Sequence, residues 1–215
     1  MKLVIGNKNY STWSLRPWLL LSHFNVPFTE VMESLSPQSL SERLAQYSDS
    51  KKVPVLVHNE LNVWDSLAIC EYVSEQYLHG RGWPKSVEQR AIARAVSAQM
   101  HSGFTAIRNE MPMNIRAKRS IELSDDAKKE INQMQLLWHR LLQNSGGPWL
   151  FGDFSIADCM FIPVVLRFKT YGVALLPSTE NYRDTVMSNA AVNSWIDSAL
   201  TETEIVDEDE AGEDC

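Results

Sequence analysis

The stretch FSIADCMFIPVVLRF, residues 154–168, constrains the fold of this chain more than any other. From Ile156 to Val165 it is apolar on every side of a helix, so that helix must be enclosed by other elements rather than laid on a surface. Ser155 and Asp158 stand ahead of the run in capping spacing, each placed to satisfy a backbone N–H at the other's position, and Phe154 and Cys159 flank the cap as a hydrophobic staple. A buried central helix needs a helical shell, and the neighbouring sequence supplies one. Val87–Arg108 reads as a single long helix ended by Met111-Pro112-Met113. Ser124-Asp125 opens another, with Ala127, Ile131, Met134, Leu137, Trp138 and Leu141 at helical spacing; residues 144–148 stop it. Asn189–Leu200 reads as a final helix. No convincing strand appears after residue 87.

The first third has a different character. Lys2–Ile5 reads as a buried strand ended by Gly6-Asn7. A helix follows through Trp13 and Trp18–Leu21, capped by Ser11 or Thr12 and irregular near Pro17. Residues 26–31 read as a second strand and 36–47 as a short polar helix. Val53–Val57 is an apolar strand, followed by a turn at His58–Glu60, a second short strand and a helix announced by Asp65-Ser66. The order β-α-β-α-β-β-α describes an α/β unit. HGRGWPKS then reads as a linker. The expected organisation is an α/β domain over residues 1–78, a linker over 79–86, an all-helical domain over 87–200 and a tail over 201–215.

Charge narrows the range of partners. The 215 residues carry a net charge of −7, but the last fifteen hold eight acidic residues and no basic one. Without them, 19 acidic residues face 20 basic ones. The body is therefore near neutral and the tail is expected to be disordered. No basic stripe points to nucleic acid. No apolar run reaches the roughly 20 residues of a membrane span, and no signal-peptide pattern opens the sequence, so a soluble cytoplasmic protein is expected. Cys70, Cys159 and Cys215 match neither a disulfide framework nor a metal spacing, and the first two are expected to be inert core residues.

Two details between Lys52 and Tyr72 carry chemistry. Pro54 lacks an N–H and belongs at the end or edge of its strand. Asp65-Ser66 sets polar side chains at a helix N-terminus, where free N–H groups and the helix dipole favour a carboxylate. Unpaired strand backbone beside an anion-receptive helix end forms a clasp for a small acidic peptide.

With these residues in hand, the chain resembles the cytosolic glutathione transferases. Val53-Pro54 is similar to the family's strand start with its cis-proline. Asp65-Ser66-Leu67-Ala68-Ile69 followed by Glu71-Tyr72 is similar to its acid/Gln-Ser-x-A-I-x-x-Y element, and Ser155-Ile156-Ala157-Asp158 to its helical-domain capping box. The likeness covers residues 1 to 200. It implies a thioredoxin-like N-terminal domain, an all-α C-terminal domain, a homodimer, and glutathione as co-substrate with no metal. It further implies a glutathione site of Val53, Pro54, Asp65, Ser66 and Lys52, in which a cis bond at Pro54 leaves the Val53 N–H and C=O free to pair with the cysteinyl backbone, Ser66 and its helix N-terminus hold the γ-glutamyl carboxylate, and Lys51 or Lys52 meets the glycyl carboxylate.

Family members activate the thiol with a residue just after the first strand. Tyr10, Ser11, Thr12 and Ser14 are the candidates here, Ser11 first and Tyr10 second, with simple helix capping as the alternative role of Ser11. The loop has no Cys, which disfavours glutaredoxin-like chemistry. The Ser11–Arg16 spacing resembles Ser-type classes such as theta and zeta, although the zeta-like Ser-Ser-Cys triplet is absent. Trp13, Met100, His101, Phe104 and Arg108 are expected around the second substrate, with Trp64 nearby. The implied activity is transfer of glutathione to small hydrophobic electrophiles. The alternatives are a glutathione-dependent isomerase of the maleylacetoacetate type, a peroxidase, or a non-catalytic interaction module.

Overall fold

A computed structural model describes residues 1–215. Four strands, β1 (Lys2–Ile5), β2 (Thr29–Met32), β3 (Val55–His58) and β4 (Leu61–Trp64), form one sheet in the order β2-β1-β3-β4. β1 runs parallel to β2 and antiparallel to β3, and β3 turns back into β4 with Val55 opposite Trp64. The strand period of two divides β1 between two faces. Leu3 and Ile5 enter the large core with helices α1 (Thr12–His23) and α3 (Ser66–Tyr77). Val4 points the other way, where it packs with Val55 and with Leu44 of the short helix α2 (Leu40–Ala45). This is the expected thioredoxin-like α/β arrangement.

The rest of the chain is mostly helical: α4 (Val87–Ser102), α5 (Thr105–Glu110), α6 (Asp125–Ser145), α7 (Ile156–Thr170), α8 (Pro177–Ser188) and α9 (Ala190–Thr201). α7 is the enclosed helix read from the sequence. Every residue from Phe154 to Phe168 is buried, and α7 packs against both α1 and α4, joining the sheet's helical layer to the bundle. Asp158 fastens its start. One carboxylate oxygen accepts from Leu150 N–H at 3.1 Å and Tyr182 OH at 3.2 Å, and the other from Ser155 N–H at 2.9 Å and Ser155 Oγ at 3.1 Å. Cys70 and Cys159 are buried, with burial raising both thiols. No helix is long and apolar enough to cross a membrane.

The structure differs from the sequence reading in five places. The strand expected at 26–31 starts at Thr29, and the helix expected at 36–47 is confined to Leu40–Ala45. The single helix expected over 87–108 is broken at Gly103-Phe104, where Phe104 takes φ of +54° and turns its ring into the helical core. α5 has no side-chain cap from Phe104; instead the Glu130 carboxylate accepts the Ile107 N–H at 2.9 Å. α8 was not read from the sequence, although Pro177 at its first turn supplies the fixed φ that favours a helix start.

The largest difference is the tail, which is packed rather than disordered. Asp207–Asp209 form a 3₁₀ turn, and Glu213–Asp214 (β6) pair with Arg119–Ser120 (β5) in a two-stranded ladder. The acid count of the tail gave no indication of the cations it meets. The fold brings Arg116 and Arg119 to it, with Asp214 on Arg119 at 2.6 Å and the Glu204 carbonyl on Arg116 at 2.7 Å.

Candidate active site

The loop after β1 turns tightly at Asn7, whose carbonyl accepts the N–H groups of Tyr10 and Ser11 at 3.2 and 2.8 Å. This delivers a run of hydroxyls to the N-terminus of α1. Ser11 is the N-cap: its Oγ accepts the Ser14 N–H at 3.3 Å and donates to Ser14 Oγ at 2.7 Å. Ser14 Oγ in turn accepts the Gly6 N–H at 3.0 Å. Tyr10 is tied down more firmly. Its OH donates to Glu210 at 2.6 Å and accepts from Arg116 at 2.9 Å. Burial, and then the Glu210 carboxylate, raise the phenol above its ordinary range. The Thr12 hydroxyl has no partner within the chain.

Across the cleft, the Val53–Pro54 peptide is cis, and neither the N–H nor the C=O of Val53 is hydrogen-bonded within the chain. Asp65 caps α3, one oxygen accepting the N–H groups of Leu67 and Ala68 at 2.9 and 3.3 Å. It does so at φ +76°, a conformation that residues with a Cβ rarely adopt. Its second oxygen lies 2.9 Å from His101 Nε2. Ser66 is buried, and its Oγ has no partner. Lys51 stands beside Val53 at φ +51°, with Lys52 exposed next to it.

A cleft of about 400 Å³ collects Tyr10, Ser11, Thr12, Trp13, Lys51, Lys52 and Val53 from the α/β layer. Arg108, Asn109, Arg167 and Asp209 close it from the helical side. Arg16 and Arg108 both lie against Trp13, their guanidinium carbons 4.2 and 4.7 Å from its ring centroid, and of the two only Arg108 lines the cleft. The His101 ring meets Trp13 edge-on at 5.1 Å. Arg16 is buried with Nε and Nη1 unpartnered; burial, then Arg108 and Arg167, lower it to about 9. Burial also lowers His101, against the pull of Asp65. A larger cleft of about 690 Å³ lies under the 79–86 segment and contains none of the candidate residues.

Of the residues expected around the second substrate, Trp13 and Arg108 line the cleft, and His101 reaches it through Trp13. Met100 and Phe104 do not. Met100 is 1 % exposed and Phe104 7 %, both within the helical core: Met100 lies on the inward face of α4 with Ala93, Val96 and Ser97, and Phe104 is turned inward at the break between α4 and α5. Asp65, which is exposed, and Ser66, which is buried, do not line this cleft. Arg167 and Asp209 were not anticipated. Arg167 had a signal, as the one charge inside an otherwise apolar helical run; Asp209 had none.

Residues 10–76 match the family model described as Glutathione S-transferase, N-terminal domain. A probable maleylacetoacetate isomerase of Caenorhabditis elegans is 26% identical over 174 residues, covering 78% of this chain and 81% of that protein. A stringent starvation protein A homologue of Haemophilus ducreyi is 22% identical, with 72% and 69% covered. Among solved structures, a glutathione transferase homologue from Burkholderia with bound glutathione superposes with a TM-score of 0.73. It shares 21% identity, over 94% of this chain and 98% of that one.

Proposed function

We propose that this chain, a member of the glutathione S-transferase family, binds glutathione in the cleft between Val53 and the start of α1 and transfers it to a small electrophile. The observation that carries this reading is the unpaired Val53 backbone facing the α1 hydroxyls across one cleft. An extended peptide adds to such backbone as one more strand rung. Its γ-glutamyl carboxylate would meet the N-terminus of α3 with Ser66, and its glycyl carboxylate Lys51 or Lys52. The thiol would then lie at the N-terminus of α1.

A free thiol titrates near 8.5, and lowering that by about two units takes roughly 2.7 kcal/mol. One hydrogen bond to a charged group contributes roughly 1.5–3 kcal/mol, so a single hydroxyl is sufficient, and Arg108 on the cleft wall adds a field of the right sign. Ser11 performs this role by turning its proton from Ser14 to the sulfur. Ser11→Ala is expected to lower kcat with an activated aryl halide about 10- to 100-fold while glutathione affinity, measured by calorimetry, changes far less. Unchanged turnover would refute Ser11 and pass the role to the unpartnered hydroxyl of Thr12.

A second reading, a glutathione-dependent isomerase of an acidic substrate, is favoured by Arg108 and Arg167 on the cleft wall and by the similarity to a maleylacetoacetate isomerase. Rates with a cis-enedione acid and with the aryl halide distinguish the two. Absence of glutathione binding in calorimetry would leave an interaction module.

The cytoplasm is the proposed location and a homodimer the proposed state. The edge strand β4 leaves Leu61 and Trp64 46% and 52% exposed, which supports such a contact. Light scattering should then report about twice the 24.5 kDa of one chain; a single-chain mass would overturn it.

A further inference from the structure

The acidic tail crosses the reaction loop at two anchors. At the first, the Glu202 carboxylate accepts the N–H groups of Lys8 and Asn9 at 2.7 and 3.0 Å, and Glu204 accepts from Asn7 Nδ2 at 2.8 Å. At the second, Glu210 accepts from Tyr10 OH at 2.6 Å and Asn114 Nδ2 at 2.8 Å, and also pairs with Arg119. Between them the turn at residues 207–209 lowers Asp209 into the cleft that holds Ser11. Asp209 makes no ion pair within 4 Å, yet Arg167 on the cleft wall is its strongest charged neighbour. Arg167 is 6% exposed; its Nη1 binds the backbone carbonyls of Arg108 and Met111, and its Nε has no partner. The cleft therefore contains a carboxylate of the chain's own, facing a buried guanidinium with unused hydrogen-bonding capacity.

We propose that residues 205–215 are a displaceable strap whose Asp209 competes with a carboxylate of the second substrate for the Arg167 wall. The inference rests on the glutathione-transfer reading of the cleft and adds to it a specificity rule. An acidic electrophile gains Arg167 by displacing Asp209, whereas an uncharged one makes no such exchange and enters with the strap in place, at a lower kcat/KM. Release of the strap also removes Glu210 from Tyr10, so the loop loosens as the substrate enters. Burial raises the Asp209 carboxyl to about 6 against the opposing pull of Arg167, which fits a seat that is partly shut from water.

Maleate and dimethyl maleate test the rule, since they differ in charge and share one reaction. The glutathione thiolate adds to one alkene carbon, the π bond opens, and the other carbon takes a proton from water. In the full-length protein without glutathione, maleate should speed amide hydrogen exchange across residues 205–212 and dimethyl maleate should not. In Asp209→Asn, the ratio of kcat/KM for maleate to that for dimethyl maleate should rise about tenfold as the internal competitor is lost. Exchange that ignores saturating maleate, or a ratio that stays level or falls, overturns the strap. The exchange measurement needs neither glutathione nor turnover, so failure of glutathione to bind in calorimetry would defeat the transfer reading separately.

Discussion

Replacing Asp158 with alanine is expected to lower stability by about 3–5 kcal/mol. The side chain is fully buried and accepts from four donors, two on Ser155 and one each on Leu150 and Tyr182. Alanine leaves the Leu150 and Ser155 amides and the Tyr182 phenol without partners in a dry interior, at about 1–3 kcal/mol each and not additively. It also unties the start of α7, the helix that packs against both α1 and α4. Urea unfolding measures the loss, and a change under about 1 kcal/mol would refute the role given to this carboxylate.

The same group predicts a pH dependence. Burial raises Asp158 to about 6 while its donors pull the other way. An acid raised in the folded state stabilises fully below its unfolded pKa of about 3.9, and that contribution is lost as pH rises through the folded value. Between pH 4 and 7 the parent should therefore lose stability more steeply than Asp158→Asn, which has no such proton to release. Parallel slopes would count against it.

The second large effect separates binding from folding at Ser66. Its hydroxyl is buried and unpartnered, so the folded chain gains nothing from it, and replacing a buried unsatisfied group with an apolar one is neutral or stabilising. Ser66→Ala should therefore leave the urea midpoint unchanged or raised. Glutathione dissociation constants should nonetheless rise about 10- to 100-fold, the equivalent of one hydrogen bond to a carboxylate. Because the oxygen is shut from solvent, engaging the ligand takes a turn about χ1. Equal affinity in parent and variant would remove Ser66 from the site; lost stability would make it structural.

Legibility in the sequence followed the range of the interaction. α7 and its cap were readable because fifteen consecutive residues state the burial and the pair that starts it. Val53-Pro54 and Asp65-Ser66 were readable because their chemistry is local: an end-of-strand proline and a helix cap. The place of Phe104 is not legible because a left-handed residue outside a Gly, Asn or Asp has no propensity signal, and Met100 faces the core because α4 turns Ala93, Val96, Ser97 and Met100 inward together. The tail was misread for a related reason. Eight acids repel one another in a composition count, but Arg116 and Arg119 lie some ninety residues away in sequence, and only the fold brings them alongside.

The loop at residues 7–10 is made first and finished last. The amides of Lys8 and Asn9 and the phenol of Tyr10 take their partners from 193 to 200 positions downstream, and the Lys8 carbonyl waits for Trp195. The sheet needs no such delay, because its last strand ends at Trp64. Domains fold in the order in which they emerge during synthesis, and contacts this distant in sequence are the slowest to close. A nascent chain thus acquires its sheet long before the loop at residues 7–10 is fully bonded. A chain stalled short of residue 202 would hold the sheet beside a loop that lacks its Glu202 and Glu210 partners.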